Sequence, residues 1–296
     1  MRRIVVVGAN GLLGSAVARR LGADERLEIT RLDRSQMNLG DERLVERVLE
    51  PLEFDWLVNA AAYTKVDDCE VQSEHAMRIN GLAPGLLARI CREKRARMLH
   101  VSTDYVFDGR LDRSYTEEDA PNPLSVYGRS KLRGEEAVRA ADAAHLVVRL
   151  SWMFGRDRPG FPDWVVRQAA SGGLRVVAEK RGCPTYAEDA AEAVLALVSM
   201  ASPPKGVLHF CNPPACSWYE YACEVVRLAG CDVTPFPIRL ADLPGLPAPR
   251  PDNSALDPGR LERLLGRPCR PWPIALADYF AEKYSAGVGG RVRALE

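Results

Sequence analysis

The chain has 296 residues, 47% of them hydrophobic and 27% charged, the make-up of a globular protein near the upper size for one hydrophobic core. Forty Lys and Arg balance forty Asp and Glu. With no long basic run, that balance argues against nucleic acid or an anionic membrane as the main partner. No stretch reaches the roughly 18 uninterrupted apolar residues of a membrane span.

In chain order, the first feature resembles a secretion signal. Arg2-Arg3 precede the apolar run Ile4–Val7, and Ala16-Val17-Ala18 follows. Gly8, Asn10, Gly11 and Gly14 interrupt the run, so we read a buried strand followed by a glycine turn, and expect a cytoplasmic protein. Strands are expected at Ile4–Val7, Leu27–Leu32, Trp56–Asn59, Met98–Ser102 and His145–Leu150. Helices are expected at Leu12–Leu21, Glu42–Leu49, Ala83–Glu93 and Gly128–Ala140. Such alternation builds a parallel sheet wrapped by helices on both faces, an α/β fold of the Rossmann type, doubly wound.

Beyond Leu150 the period loosens. Helices are expected at Asp163–Ala170, Asp189–Met200 and Trp218–Ala229, and strands at Arg175–Ala178 and Val207–Cys211. Pro and Gly crowd the connections, above all in Pro244–Pro258. This pattern predicts a dinucleotide-binding domain over 1–155 and a smaller, loop-rich C-terminal substrate lobe over 156–285. The two share a core, with the return of some lobe segments to the sheet left open. The tail 286–296, rich in Gly and Arg, is expected to be disordered. The eight cysteines form no Cys-x-x-Cys and the four histidines are scattered. Neither a disulfide framework nor a zinc site is expected, and the cysteines read as small core residues.

Chemistry enters at three places. Gly8-Ala9-Asn10-Gly11-Leu12-Leu13-Gly14 sits between a strand and a helix, where a glycine fingerprint cradles a pyrophosphate. The helix start offers the phosphates free N–H groups and a partial positive charge. Asp33 ends the second strand, about 20 residues on, where an acid bonds the ribose of NAD. Arg34 beside it could instead pair with the 2′-phosphate of NADP, or be a solvated charge, so NADPH or NADH both fit. Third, Tyr127 and Lys131 stand at i and i+4 in the helix that follows Ser102-Thr103-Asp104-Tyr105. An ammonium near a phenol lowers its pKa and suits it to proton exchange with an alcohol oxygen. Tyr279 and Lys283 repeat the spacing but lack a partner segment, and are read as structural.

This ordered set resembles the extended short-chain dehydrogenases that act on nucleotide sugars, and within them the dTDP-4-dehydrorhamnose reductase family. The resemblance runs from Ile4 to about Tyr279. It is carried by Asn59 to Asp67, Ser102 to Gly109, Tyr127 to Lys131 with Gly134-Glu135, Arg149 to Trp152, Gly182 to Thr185, Cys216 to Glu220 and Arg250 to Asp257. It implies Thr103, Tyr127 and Lys131 as the catalytic set. Gly8, Asn10, Gly11, Leu12, Leu13, Asp33, Arg34, Asn38, Leu39, Ala60, Ala61, Ala62, Tyr63 and Ser102 would hold the cofactor together with Tyr127 and Lys131. Thr64, Val66, Asp104, Tyr105 and Trp152 would face a nucleotide-linked sugar. The implied reaction is reduction of a 4-keto group, from dTDP-4-dehydro-L-rhamnose to dTDP-L-rhamnose. An epimerase or reductase acting on another sugar, and an NADP-binding regulatory subunit, are the alternatives. Dehydratase relatives carry Asp-Glu after the Thr; here Asp104-Tyr105 follows Thr103.

There are departures. Where the family often has Asp-Gln before its Gly-x-Pro-Thr, this chain has Glu179-Lys180-Arg181. The family's Asn-Phe is replaced around Gly160–Asp163. Some relatives hold a divalent metal among carboxylates beside the glycine loop; here Ser15 and Ala16 follow Gly14, and no metal is expected. The expected assembly is a monomer or homodimer.

Overall fold

The computed structural model describes residues 1–243 and 245–284; the tail 286–296, expected to be disordered, lies outside the described residues. Chain order begins β1 (Arg2–Val7), α1 (Leu12–Gly22), β2 (Leu27–Leu32), α2 (Glu42–Leu49) and β3 (Trp56–Asn59). Two short helices, α3 (Val66–Val71) and α4 (Ser73–Ala76), lead through a π-helical turn (Met77–Leu82) into α5 (Ala83–Glu93). Next come β4 (Arg97–Thr103), α6 (Val126–Ala141) and β5 (Leu146–Leu150). The remainder holds β6 (Met153–Phe154), α7 (Phe161–Ala170), β7 (Arg175–Val177), β8 (Arg181–Gly182), β9 (Thr185–Tyr186), α8 (Ala187–Ser199) and β10 (Gly206–His209). It closes with β11 (Cys216–Ser217), α9 (Trp218–Ala229), β12 (Phe236–Ile238), α10 (Gly259–Leu265) and α11 (Trp272–Tyr284).

Six strands form one parallel sheet in the order β10-β5-β4-β3-β1-β2. Side chains alternate along a strand, and the core divides accordingly. Ile4 and Val6 of β1 pack with α1 and α8 on one face. Val5 and Val7 pack with α2, α5 and α6 on the other. Both faces of the sheet are therefore wound, as the alternation predicts. The strand order reverses at β1, so its carboxyl end and that of β3 open a crevice, the place where ligands bind in sheets of this kind.

A third core is aromatic and belongs to the C-terminal lobe, with Phe154, Tyr186, Tyr221, Trp272 and Tyr279 among its members. The strand expected at Val207–Cys211 is observed as β10 and is the sixth strand of the main sheet, paired with β5. The helix expected at Asp189–Met200 is α8, covering that sheet. The region between Asn59 and Ala83 carried no helix in the sequence reading. Its helices are too short, and too rich in Asp and Glu, to print an apolar period. All eight cysteines are free, and six are buried. Among the described residues no helix is long and apolar enough to cross a membrane.

Candidate functional site

The glycine loop closes the crevice from one side. Gly8 has φ +81°, and a Cβ there would lie 2.8 Å from the Ala61 backbone. A Cβ on Gly14 would lie 2.0 Å from the Gly8 carbonyl oxygen, so α1 can meet the turn only without a side chain at that point. α1 opens on Gly11 with no side-chain cap and no acid in its first turn, leaving its N–H groups to an anion.

A cavity of about 360 Å³ fills the crevice. Of the expected cofactor residues, Gly8, Asn10, Gly11, Asp33, Arg34, Asn38, Leu39 and Ala60 to Tyr63 line it. Leu12, Leu13, Ser102, Tyr127 and Lys131 are not among the lining residues. Leu13 is buried in the core under α1, so its backbone alone faces the loop. Sequence reasoning missed Met37, His75, Ile79 and Arg158, which do line the cavity. Arg158 reaches in from the C-terminal lobe and donates to the Asn10 carbonyl at 2.8 Å. Asp33 is engaged locally: it accepts from Ser35 N at 2.8 Å, Ser35 Oγ at 2.6 Å, Gln36 N at 3.2 Å and Asn10 Nδ2. The Ser35 hydroxyl and these amides hold its carboxyl below the usual range. Arg34, exposed beside it, lines the cavity.

The Ala60–Tyr63 run is fixed by its backbone. Ala60 N donates to Val7 O at 3.0 Å, and Ala61 N to Asn59 Oδ1 at 3.1 Å. Asn80, buried in the π-helical turn, accepts from Tyr63 N at 2.8 Å and donates to Tyr63 O at 3.0 Å. Its amide also donates to Ser130 Oγ at 3.1 Å, one residue before Lys131. Asn80 thus joins the cofactor wall to the catalytic helix. No motif marks it in the sequence.

The reacting groups gather at the carboxyl end of β4. Thr103 caps the turn after the strand, accepting from Tyr105 N at 3.2 Å and donating to Asp104 Oδ1 at 3.0 Å. Ser125 caps α6 by accepting from Gly128 N at 3.1 Å, so the helix starts at Val126, two residues before the expected Gly128. Tyr127 and Lys131 are both buried on its inner face. The Tyr127 ring meets the Tyr105 ring edge-on at 5.7 Å. Lys131 Nζ donates to Val101 O at 2.7 Å and faces His100 Nε2 at 3.5 Å. Asn59 Nδ2 meets His100 Nδ1 at 3.1 Å, so one polar chain ties β3, β4 and α6 together.

One expectation is corrected. Lys131 was expected to lower the Tyr127 pKa. Here burial pushes the Tyr127 hydroxyl above the ordinary phenol range, with the Thr103 hydroxyl acting against it. Burial lowers Lys131 to about 8, opposed by Glu135. The ammonium is turned to the Val101 carbonyl and so does not offset the desolvation of the phenol. The second pair is a different object. Tyr279 donates to Asp163 Oδ2 at 2.9 Å, and Lys283 pairs with the same carboxylate and with Tyr279 Oη. It locks α11 onto α7 inside the aromatic core.

The expected sugar-facing residues surround this corner unevenly. Thr64 is exposed and Val66 half-buried at the start of α3. Asp104 is 2% exposed, and its Oδ2 has no hydrogen-bond partner among the described residues. Ser102 Oγ is buried and likewise without one. Trp152 takes φ +43°, a conformation that costs a bulky residue of order 1–3 kcal/mol, and its ring tilts against Trp218 at 5.7 Å. Asp67 of α3 pairs with Arg250 at 3.0 Å and accepts from Ala248 N at 3.2 Å, tying that part of the C-terminal chain to α3.

The chain matches the family described as "RmlD substrate binding domain" over residues 1–285. It is 35% identical over 287 residues to the spore coat polysaccharide biosynthesis protein SpsK of Bacillus subtilis, covering 97% of this chain and 99% of that protein. It is 39% identical over 287 residues to a dTDP-4-dehydrorhamnose reductase of Mycobacterium tuberculosis, with 94% and 92% covered. A crystal structure of the Bacillus anthracis dTDP-4-dehydrorhamnose reductase in complex with NADP superposes with a TM-score of 0.87 at 30% identity, covering 95% of this chain and 99% of that one. With its doubly wound sheet, glycine cradle and buried Tyr127–Lys131 pair in place, the chain belongs to the dTDP-4-dehydrorhamnose reductase family.

Proposed function

We propose that this protein is an NADPH-dependent reductase of the 4-keto group of a dTDP-linked deoxysugar, with dTDP-4-dehydro-L-rhamnose as the favoured substrate. The observation that carries this reading is the convergence of Thr103, Tyr127 and Lys131 at the carboxyl end of β4, near a crevice shaped for a dinucleotide. The residues fit such a cofactor: the cradle admits no Cβ at Gly8 or Gly14, and Arg34 and Arg158 supply positive charge.

The bound nicotinamide supplies the hydride. Tyr127 gives its hydroxyl proton to the oxygen of the reduced carbonyl. Burial makes that proton hard to lose to water, so transfer needs a developing alkoxide as its acceptor. Lys131, fixed by the Val101 carbonyl at 2.7 Å, would anchor the ribose of the nicotinamide. Thr103 hydrogen-bonds the reacting oxygen from the strand end. Tyr105 and Trp152 offer flat apolar walls to a deoxysugar ring. Asp104-Tyr105 leaves no second carboxylate for the elimination a dehydratase performs.

The test is NADPH oxidation on adding the dTDP-4-keto-6-deoxy sugar. Tyr127→Phe should lose ~10²–10⁴-fold in kcat, the usual cost of a positioned proton donor. Tyr279→Phe should keep kcat within a few-fold while lowering the Tm. The opposite pattern would overturn the site assignment.

A further inference from the structure

Gly182 opens the Gly-Cys-Pro-Thr run and sits in β8, paired antiparallel with Cys216 of β11. Its φ lies outside the positive range that favours glycine, so the backbone does not call for a glycine there. Space does. A Cβ built on Gly182 would lie 2.2 Å from Cε2, 2.4 Å from Cζ2 and 2.7 Å from Nε1 of Trp152. Carbon atoms in contact sit about 3.5–4.0 Å apart, so a methyl group at this position would push the indole away by about 1 Å or more. Trp152 has little freedom to adjust through its backbone. Ser151 Oγ donates to Cys183 O at 2.6 Å, and Trp152 O accepts from Thr185 N at 3.2 Å. Between these bonds Trp152 keeps φ +43°, a strained value that persists only where the surroundings enforce it. The neighbouring ring is held as well. Trp218, 5.7 Å from Trp152, opens α9 behind the Ser217 cap. It lies 5.9 Å from Phe161 and 5.6 Å from Nζ of Lys180. Lys180 is buried and donates to Pro251 O at 2.6 Å. The same Nζ lies 5.5 Å from the centre of the Tyr105 ring, which meets Tyr127 edge-on. Contacts therefore run from the catalytic Tyr127 through Tyr105, Lys180 and Trp218 to Trp152, whose side chain is only half-buried.

We propose that Gly182 is a positioning residue for sugar recognition: its bare Cα seats the Trp152 indole, and so sets where the apolar wall of the sugar pocket stands. The inference rests on the reductase reading for what that wall touches; the seat itself rests on contact distances. Two costs converge on this one ring. Trp152 carries a strained backbone, and β8 carries a glycine, which weakens a strand and marks a close approach. Filling a core asks for neither, since a smaller side chain facing an alanine would close the same space without strain. A half-buried indole held this way presents a fixed flat face beside the reacting corner. With Trp218 held between Phe161 and Lys180, an indole pushed off Gly182 has to turn about its own side-chain bonds, and the wall moves with it.

The experiment is steady-state kinetics of Gly182→Ala, Trp152→Ala and the double variant, with NADPH and the dTDP-4-keto-6-deoxy sugar. Gly182→Ala should raise the sugar KM about 10-fold or more, with kcat within a few-fold, the pattern of lost uniform binding. Its dissociation constant for NADPH should not change, which a general loosening of the fold would not spare. In the Trp152→Ala background the same substitution should have no further effect, because the ring it displaces is gone. An unchanged sugar KM in Gly182→Ala, or an equal rise in the Trp152→Ala background, overturns the proposal. Should Gly182→Ala fail to fold, the double variant decides. It folds if the indole is the obstacle; if it too fails, Gly182 serves the β8–β11 pair and the proposal is overturned. Near-ultraviolet circular dichroism needs no turnover. The Trp152 contribution, identified by its loss in Trp152→Ala, should change in Gly182→Ala, and an unchanged band overturns the seat. A changed band in a protein that reduces no such sugar supports the seat and overturns the reductase reading instead.

Discussion

At the scale of single residues, two cations at the mouth of the cofactor crevice invite direct tests. Arg158 crosses from the C-terminal lobe to the glycine loop and lines the cavity. A charge-assisted hydrogen bond contributes about 1.5–3 kcal/mol, so Arg158→Ala should weaken NADPH binding by about 10–100-fold, read by fluorescence titration. An unchanged dissociation constant would place Arg158 outside the phosphate site. Arg34→Ala should raise the KM for NADPH much more than that for NADH. Asp33 Oδ1 is taken by Ser35 and Gln36 while Oδ2 accepts only from Asn10, so that oxygen stays open to a ribose hydroxyl and Arg34 alone would favour NADPH. Asp104 also has a stability signature. Its folded pKa of about 6 lies above the ordinary 3.8, so the folded chain binds the extra proton between those values. Stability therefore falls as pH rises from about 4 to about 6, and is lowest above that window. Asp104→Asn should be more favourable to stability at pH 7 than at pH 4, by up to about 3 kcal/mol, measured by urea unfolding. A difference that does not depend on pH would contradict the burial of an ionised Asp104.

At the scale of elements, the π-helical turn and α6 form one unit through Asn80. Asn80→Ala leaves Tyr63 N and O and Ser130 Oγ without their partner in a buried place. Unmade buried bonds cost about 1–3 kcal/mol each, so the variant should lose several degrees of Tm and also raise the KM for NADPH, since the Ala60–Tyr63 wall is released. Lys131 adds a slope at the alkaline end. Its pKa falls from 10.5 to about 8 on burial, so the unfolded chain binds more protons between those values. Stability should therefore rise with pH across that window, and Lys131→Met should flatten the rise. These elements also show what a sequence can carry. Glycine spacing, β-branched runs and the Tyr127–Lys131 pair are local patterns, so the cradle, the first five strands and the catalytic helix were legible. Asn80, His100 and Arg158 act on residues far along the chain, and nothing in their neighbours distinguishes them. Lys180 could be noticed in the sequence only as a departure; that it is buried depends on Pro251 and Trp218 arriving from elsewhere. The expected lowering of Tyr127 failed for a related reason: spacing places Lys131 on the same helix face, but burial and the Val101 carbonyl decide where its charge is felt.

At the scale of the whole molecule, the main sheet and its covering helices draw on chain from both sides of residue 155. α8 and β10 belong to the main sheet although they follow most of the aromatic lobe's first segment in the chain. Arg149 of β5 is buried against Glu135 of α6 at 2.7 Å, and β10 covers the edge of β5 on which Arg149 lies. A fragment of residues 1–155 should therefore fail to give a cooperative unfolding transition by circular dichroism, because it exposes that edge and the face that α8 covers. A cooperative transition in the fragment would contradict this. For anyone recombining relatives to change the sugar accepted, the consequence is practical. A single crossover at 155 exchanges a sheet edge and a covering helix along with the sugar pocket, and mismatches both against β5 and α1. A chimera that leaves the nucleotide half intact needs two grafts, one ending before Ala187 and one beginning after His209, with the native 187–209 segment kept between them.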